Sequence, residues 1–270
     1  MPDQYEQVPD TEVLQDRADR PVVRVGGTVH RPVQPWTPAV HALLNHLAAV
    51  GFPYSPRVLD VLPAAGTGSP ATEVVTYLAG ESGPAGWAKV VDEQGLRAAA
   101  RLLRDYHQAV ADWSPAQPPA WSGGRTGTGG PGELVCHNDF GPWNIVWNDV
   151  TPVGLLDWEY AGPGPVMQDV AYALEYVAPF RDDEECVRWL RYPGPPDRRR
   201  RLEIFAAEYG LSDTTGLANE VIAIQRAGLD FVRQLAEEGH ERQVELVAAG
   251  HLTEIADRIR WSEDHRHLFD

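Results

Sequence analysis

The stretch ELVCHNDFGPWNIVW, residues 133–147, constrains this chain more than any other part of its sequence. Two apolar flanks, each typical of a buried strand, enclose His137, Asp139 and Asn144. An imidazole, a carboxylate and an amide are costly to bury unless each finds a hydrogen-bond partner. The segment therefore predicts two strands joined by a polar loop, whose side chains bond to one another or to a ligand.

A second carboxylate, Asp157, closes the following apolar strand VGLL. The order His137, Asp139, Asn144 and then a strand ending in Asp157 matches the catalytic-loop pattern of kinases. Phosphoryl transfer needs this division of labour, because hard oxygen ligands hold Mg²⁺ on the nucleotide while a separate carboxylate faces the nucleophile. The alternative is that these residues only form turns around Gly141-Pro142. It explains the residue types but not the strand, loop, strand and carboxylate order.

The stretches VCHNDFGPWNIVW and GLLDWEYAGPGPVMQDVAYAL resemble the aminoglycoside phosphotransferase and choline kinase-like family. The resemblance covers residues 22–262 and is sharp over 133–176. It implies an α+β fold class, namely the protein kinase-like two-lobed fold. A small N-terminal β-sheet lobe with one helix is expected at 1–78, with a loosely ordered start at 1–20. A larger, mostly helical C-terminal lobe is expected at 79–270.

The same resemblance assigns roles to the residues of the loop. It implies that Asp139 is the catalytic base or the residue that orients the acceptor hydroxyl. It implies that Asn144 and Asp157 bind the nucleotide by holding Mg²⁺. His137 is expected to steady the loop, and Asp169 is expected to tie the loop to the next helix as a buried partner.

Nucleotide binding in the small lobe is expected to depend on the backbone and on arginine. By the resemblance, ATP or GTP would lie against backbone groups of Thr76 and Leu78 in the segment VTYLAG. A kinase normally anchors phosphate with a lysine on a small-lobe strand, but the single lysine here, Lys89, lies beyond that segment. We expect Arg31 to contact the phosphates in its place, with Arg24 as the alternative.

Two further kinase features are absent from the small-lobe sequence. The predicted helix at 38–51 contains no Asp or Glu to pair with a phosphate-binding residue, and no glycine-rich loop precedes the first strand. Two outcomes follow. One is an active enzyme with a reduced nucleotide site, and the other is a protein that has kept the fold and lost turnover.

Charge and composition exclude several classes of partner. The formal net charge of −16 argues against a nucleic-acid partner and suits a cationic acceptor. No secretory leader and no apolar run of membrane-spanning length occurs, so we expect a cytoplasmic protein without a membrane partner. Cys136 and Cys186 lack metal-site or redox spacing and are expected to be reduced, buried thiols.

Local patterns predict several further elements. Gly26-Gly27 indicates a two-residue hairpin turn, and Thr37 as N-cap with Gly51 as stop indicates a helix. Helices are expected at 197–209, 216–239 and 241–261. The stretch DRRRR at 197–201 is interpreted as a solvated face. The acidic run RDDEE at 181–185 either borders the acceptor pocket or forms a solvated loop.

The motif together with the family resemblance implies a phosphotransferase that moves the γ-phosphate of ATP or GTP to a hydroxyl of a small, amine-bearing molecule such as an aminoglycoside-like compound. The acceptor would lie near residues 169–185 and 219–240. Two alternatives stay open: a catalytically impaired, pseudokinase-like binding protein, and a Ser/Thr kinase acting on a biosynthetic peptide.

Overall fold

A computed structural model describes residues 10–17, 20–64, 66, 68–115, 119–124 and 132–270. Within these residues, an antiparallel sheet occupies the N-terminal part of the chain, with its strands in the order β1-β2-β3-β5-β4. The strands are β1 (Thr11–Gln15), β2 (Val22–Val25), β3 (Thr28–Pro32), β4 (Val58–Leu62) and β5 (Thr72–Thr76), and helix α1 (Thr37–Ala49) lies between β3 and β4. Part of the segment predicted to be loosely ordered, 1–9 and 18–19, lies outside the described residues, and β1 forms an edge strand.

The remainder of the described chain is mainly helical and carries two short two-stranded sheets, β6-β9 and β7-β8. Its strands are β6 (Glu133–Cys136), β7 (Ile145–Asn148), β8 (Thr151–Leu155) and β9 (Gly162–Pro165). Its helices are α2 (Gly86–Val91), α3 (Glu93–Val110), α4 (Val166–Val177), α5 (Asp183–Arg188), α6 (Arg198–Tyr209), α7 (Leu217–Glu237), α8 (Glu241–Ala248) and α9 (His251–Asp264). No helix in the described ranges is both long and apolar enough to cross a membrane.

The hairpin and the first helix form where the sequence predicts them. Gly26 adopts a φ of 59°, which a two-residue turn between twisted strands requires and which glycine adopts without strain. Helix α1 begins at Thr37, with Trp36 as its N-cap, so the prediction of Thr37 as the cap is wrong by one residue. The Thr37 hydroxyl instead accepts a hydrogen bond from the Gln34 amide at 2.9 Å. Gly51 follows the helix with a φ of 78°.

One continuous apolar core joins α1 to the helical part of the chain. Leu43 and Leu47 of α1 are fully buried in the same cluster as Leu103 and Tyr106 of α3. Helix α3 is strongly amphipathic, and the Asp92 side chain caps it by accepting a hydrogen bond from the Gln94 amide at 2.7 Å. The Tyr106 hydroxyl of this helix donates to the Val135 carbonyl of β6 at 2.6 Å, so α3 packs against the strand that precedes the polar loop.

Three expectations about the C-terminal half are wrong or refined. The helix predicted at 241–261 is two helices, because Gly250 between them has a φ of 93°. The acidic run at 181–185 is not a simple loop, since most of it belongs to α5, and its place at the border of an acceptor pocket stays a prediction. The stretch DRRRR at 197–201 is a solvated face only in part, because two of its four arginines are exposed and two are buried.

Arg198 and Arg201 are only 4% and 6% exposed. Arg201 donates from Nε to the Val177 carbonyl at 2.7 Å, and Arg198 donates from Nε to the Pro179 carbonyl at 3.0 Å. Carbonyl groups at and beyond the end of α4 lack partners within that helix, so buried guanidinium groups satisfy them. Burial of these arginines was hidden from the sequence because their partners lie about twenty residues away.

Candidate active site

The polar loop after β6 brings Asp139 and Asn144 into direct contact. A 3-10 turn at Pro142–Asn144 returns the chain so that Asn144 enters β7. The Asn144 amide nitrogen donates to Asp139 Oδ2 at 2.7 Å and to the Asp139 carbonyl at 2.9 Å. Both amide hydrogens are used in this way, so Asn144 Oδ1 is the atom that remains for a cation.

Asp139 also receives a hydrogen bond from a helix that the sequence did not connect with it. The Tyr172 hydroxyl of α4 donates to Asp139 Oδ1 at 2.5 Å, so each carboxylate oxygen has one donor. Burial raises the pKa of Asp139 to about 7, the hydrogen bond from Tyr172 opposes this shift, and the negative charge of Asp157 adds to it. A bound cation near Asp157 would favour the ionised form.

The β7-β8 hairpin places Asp157 beside Asn144. Leu155 pairs with Ile145, and the Leu156 amide donates to the Asn144 carbonyl at 2.7 Å. Asp157 follows immediately, in a left-handed conformation with a φ of 59° that re-aims its side chain at the end of the strand. The two candidate magnesium ligands therefore come from adjacent ends of one hairpin, as the sequence predicted.

The Asp157 side chain is open to solvent, yet the surrounding protein displaces enough water to raise its pKa above the ordinary value. The negative charge of Glu159 contributes to the same shift, while Arg31 and Arg20 act against it. Arg20 donates to both carboxylate oxygens of Glu159 at 2.6 Å. Positive charge from two separate segments therefore lies near Asp157.

His137 and Asp169 hold the loop in place, as expected. Asp169 is fully buried and accepts hydrogen bonds from the His137 amide at 2.6 Å and the Asn138 amide at 2.7 Å. Burial lowers the pKa of His137 to about 4, so its ring is neutral near pH 7. The ring lies 2.9 Å from the Leu156 carbonyl through Nε2 and accepts from the Asp139 amide through Nδ1, which requires the Nε2–H tautomer.

Arg31 is held by a partner that sequence reasoning missed. Its Nε donates to Glu73 Oε1 at 2.7 Å, and the second oxygen of Glu73 lies 2.8 Å from His41 Nε2. Arg31 and Glu73 face each other across β3 and β5. Helix α1 thus supplies a histidine rather than an acid, and the carboxylate comes from a strand. Cross-strand register was the signal that could have revealed this pair.

The alternative residue, Arg24, is engaged elsewhere. Its Nε donates to the Gly26 carbonyl at 2.8 Å, and its guanidinium lies 4.1 Å from the centroid of the Tyr77 ring. Arg31 is among the positive charges that oppose the raised pKa of Asp157, and its contact with phosphate stays a prediction.

The expected base-contacting segment follows β5. The Thr76 amide donates to the Arg57 carbonyl at 2.9 Å, so this amide is already bonded within the protein. Leu78 packs on β8, where a Cβ added at Gly154 would lie 2.7 Å from Leu78 Cδ1. The role of both residues in nucleotide binding stays a prediction.

The donor chemistry at this site fits Mg²⁺. In the part of the chain that the structure describes, no three His, Cys, Asp or Glu side chains form a metal cluster. Mg²⁺ does not need one, because it is usually held by one or two protein oxygens together with substrate phosphates and waters. Asn144 Oδ1 and the Asp157 carboxylate supply two such oxygens.

Comparisons with known proteins agree with this geometry. The sequence model of the phosphotransferase enzyme family matches residues 13–131 and 129–204. The trifolitoxin immunity protein of Rhizobium leguminosarum bv. trifolii is 31% identical over 258 residues, which cover 92% of this chain and 93% of that protein.

Two solved structures share the fold at low sequence identity. The complex of APH(2")-IIia with GDP and kanamycin has a TM-score of 0.61 and 12% identity, and the match covers 96% of this chain and 94% of that one. A choline/ethanolamine kinase family protein from Mesorhizobium loti has a TM-score of 0.58 and 16% identity, with coverage of 98% and 92%. The predicted kinase-like fold is thereby confirmed.

Proposed function

This chain belongs to the phosphotransferase enzyme family, and from that premise we propose that it transfers the γ-phosphate of ATP or GTP to a hydroxyl of a small molecule. Asp139 orients the acceptor hydroxyl and takes its proton, Asn144 and Asp157 hold Mg²⁺, and Arg31 contacts the phosphates. When bound, Mg²⁺ supplies neutralisation of phosphate charge. The observation that carries the proposal is the direct contact between Asp139 and Asn144 at 2.7 Å, at the end of the hairpin that bears Asp157.

Each role follows from the contacts of the residue. Asp139 is held between two donors, which fixes the plane of its carboxylate so that an acceptor hydroxyl meets an oriented oxygen. Asn144 donates both amide hydrogens to Asp139, and its side-chain oxygen binds the cation. Glu73 holds Arg31 through Nε, which leaves the terminal nitrogens of the guanidinium to contact phosphate.

The identity of the two substrates is supported by relatives and by charge. The solved APH(2")-IIia complex contains GDP and kanamycin, which supports a nucleotide co-substrate and an amine-bearing acceptor. The net charge of −16 suits a cationic acceptor. The relative from Rhizobium is named an immunity protein against a toxin, and we infer a protective role in which phosphorylation inactivates a hydroxyl-bearing toxic compound.

The decisive experiment has two steps. First, thermal denaturation is measured with ATP or GTP, with and without Mg²⁺, and we expect a rise in Tm that depends on the metal. Second, Asp139→Asn is compared with the wild type, and we expect kcat to fall by about 10²–10⁴ while nucleotide affinity stays nearly unchanged. Asp149→Asn is the matched control, because Asp149 is exposed in the neighbouring hairpin turn with a φ of 55°. An unchanged Tm with both ATP and GTP would favour the pseudokinase-like binding protein instead.

A further inference from the structure

Four aromatic side chains form a group that reaches Asp139 through Tyr172, and only Tyr172 among them has a role in the chemistry described so far. They are Trp87 of α2, Trp143 of the catalytic loop, and Tyr172 and Tyr176 of α4. Their ring centroids are 4.7 Å apart for Trp143 and Tyr176, 5.1 Å for Trp87 and Trp143, 5.2 Å for Tyr172 and Tyr176, and 5.7 Å for Trp87 and Tyr176. Each of the four residues is partly exposed. We call this group the aromatic shelf.

The aromatic shelf is continuous with the catalytic carboxylate. Tyr172 belongs to both, since its hydroxyl donates to Asp139 Oδ1 at 2.5 Å while its ring packs on Tyr176. Trp143 lies in the loop between Asp139 and Asn144. An acceptor that places its hydroxyl at Asp139 therefore has the aromatic shelf within reach of its neighbouring atoms.

Two glycines allow the rings to come this close to the loop. A Cβ on Gly141 would lie 2.3 Å from Cζ2 of Trp143, so the ring folds back over a position where only glycine fits. A Cβ on Gly86 would lie 1.9 Å from the Pro142 carbonyl oxygen, so α2 can approach the loop only with glycine there. That approach brings Trp87 against Trp143.

The charge next to the aromatic shelf disfavours a cation on it. The Arg181 guanidinium lies 5.2 Å from the centroid of the Tyr176 ring and is only 5% exposed. Arg181 also pairs with Glu185 at 3.0 Å and lies 3.8 Å from Glu175, so these carboxylates are already engaged. A second cation would meet an occupied ring and a like charge, whereas an uncharged ring gains apolar contact without that cost.

We propose that the aromatic shelf binds a planar, uncharged aromatic group of the acceptor, adjacent to the hydroxyl that receives the phosphate, and that Tyr172 is a positioning residue for Asp139. This inference rests on the proposed function and deepens it by naming the substrate class. An amine elsewhere on the acceptor is compatible with it, because only the group beside the reacting hydroxyl meets the aromatic shelf.

The first test compares L-phenylalaninol with L-alaninol, which share an amine and a primary hydroxyl and differ in the ring. With Mg²⁺ and the nucleotide that raises Tm, release of nucleoside diphosphate gives kcat/KM for each. We expect phenylalaninol to be favoured at least about tenfold, the scale of ring packing with its buried area. Trp143→Ala and Tyr176→Leu should each reduce this ratio to about twofold. The control Trp189→Ala, at a Trp that is 66% exposed and outside the aromatic shelf, should keep it.

The second test separates the ring of Tyr172 from its hydroxyl. Tyr172→Phe keeps the ring, so we expect KM for phenylalaninol within about twofold of the wild type. It removes one of the two donors that orient Asp139, so kcat should fall about tenfold. A rise in KM at unchanged kcat, or no change in either constant, would overturn the positioning role.

A binding measurement separates failure of this inference from failure of the proposed function. Trp87 and Trp143 report on the aromatic shelf through tryptophan fluorescence without any nucleotide. Saturable quenching by phenylalaninol, absent with alaninol and lost in the Tyr176→Leu variant, supports the aromatic shelf even if no nucleotide binds. Equal responses to both alcohols, in fluorescence and in turnover, would refute it even if Mg²⁺-dependent nucleotide binding is normal.

Discussion

Removal of the charge on Glu73 should destabilise the small sheet and loosen the phosphate site together. The Glu73 side chain is only 4% exposed and accepts from Arg31 at 2.7 Å and from His41 at 2.8 Å. Glu73→Gln keeps the shape and turns two charge-assisted contacts, each worth about 1.5–3 kcal/mol, into weaker ones. Arg31 and His41 are 22% and 12% exposed, so solvent keeps the loss below the value for a fully buried pair.

We expect the free energy of unfolding to fall by about 2 kcal/mol at pH 7, which corresponds to a Tm lower by about 4–8 °C for a chain of this size. Urea denaturation of wild type and variant measures the difference, and the slope of the transition should stay the same. Glu12→Gln is the matched control, because Glu12 pairs with Arg24 on the same sheet while 57% exposed. That control should change stability by less than about 0.5 kcal/mol.

The pKa of Glu73 determines how the stability difference between wild type and variant changes with pH. Burial opposes ionisation of Glu73, but the hydrogen bond from His41 and the charge of Arg31 outweigh it and lower its pKa below the ordinary 4.5. A lowered folded-state pKa contributes stability that is present above the unfolded value and lost as pH falls through the folded value. The difference between wild type and Glu73→Gln should therefore be present at pH 6 to 7 and shrink below about pH 4.5. An equal stability at pH 7, or a difference that persists at low pH, would refute the reasoning.

Three further outcomes are expected. Asn144→Ala should abolish the Mg²⁺-dependent part of the nucleotide-induced rise in Tm, and an unchanged rise would remove Asn144 from the metal site. Asp169→Asn should lower the free energy of unfolding by about 3–5 kcal/mol in urea denaturation, because the buried His107 and two backbone amides lose a carboxylate. Stability within 1 kcal/mol of wild type, on the scale of ordinary mutations, would contradict the anchoring role. Gly86→Ala should lower Tm and kcat together, since its Cβ would lie 1.9 Å from the Pro142 carbonyl oxygen, whereas Gly228→Ala, at an exposed position of α7 with open space, should leave kcat unchanged and raise Tm slightly.

Local features of the chain were predictable because their causes lie within a few residues. The Gly26-Gly27 turn, the helix that ends before Gly51 and the strand-loop-strand unit around Asp139 all follow from turn chemistry and periodicity. Family membership and the kinase-like fold are confirmed by the match over most of the chain. The catalytic and nucleotide-binding roles of the individual residues stay predictions.

Other predictions were wrong or missing where contacts join distant segments. The sequence predicts that the stretch at 197–201 is solvated, because a guanidinium group usually lies in water. The tertiary structure brings Arg198 and Arg201 to carbonyl groups at the end of α4. The absence of Asp and Glu from α1 predicts the loss of an ion pair with the phosphate-binding residue. Glu73 on β5 supplies the carboxylate instead. Tyr172 carried no signal, since a tyrosine at helical spacing is ordinarily a packing residue.

The sequence by itself determined the candidate residues for the chemistry: an ordered set of Asp139, Asn144 and Asp157 around short strands, in a chain with one lysine. Only the tertiary structure decided how that set is held and what lies beside it. Tyr172, which donates a hydrogen bond to Asp139, lies 33 positions further along the chain. Glu73, which accepts a hydrogen bond from Arg31, lies 42 positions further along. Strand register and helix packing create such pairs, and both depend on burial of the whole core rather than on the residues of the pair.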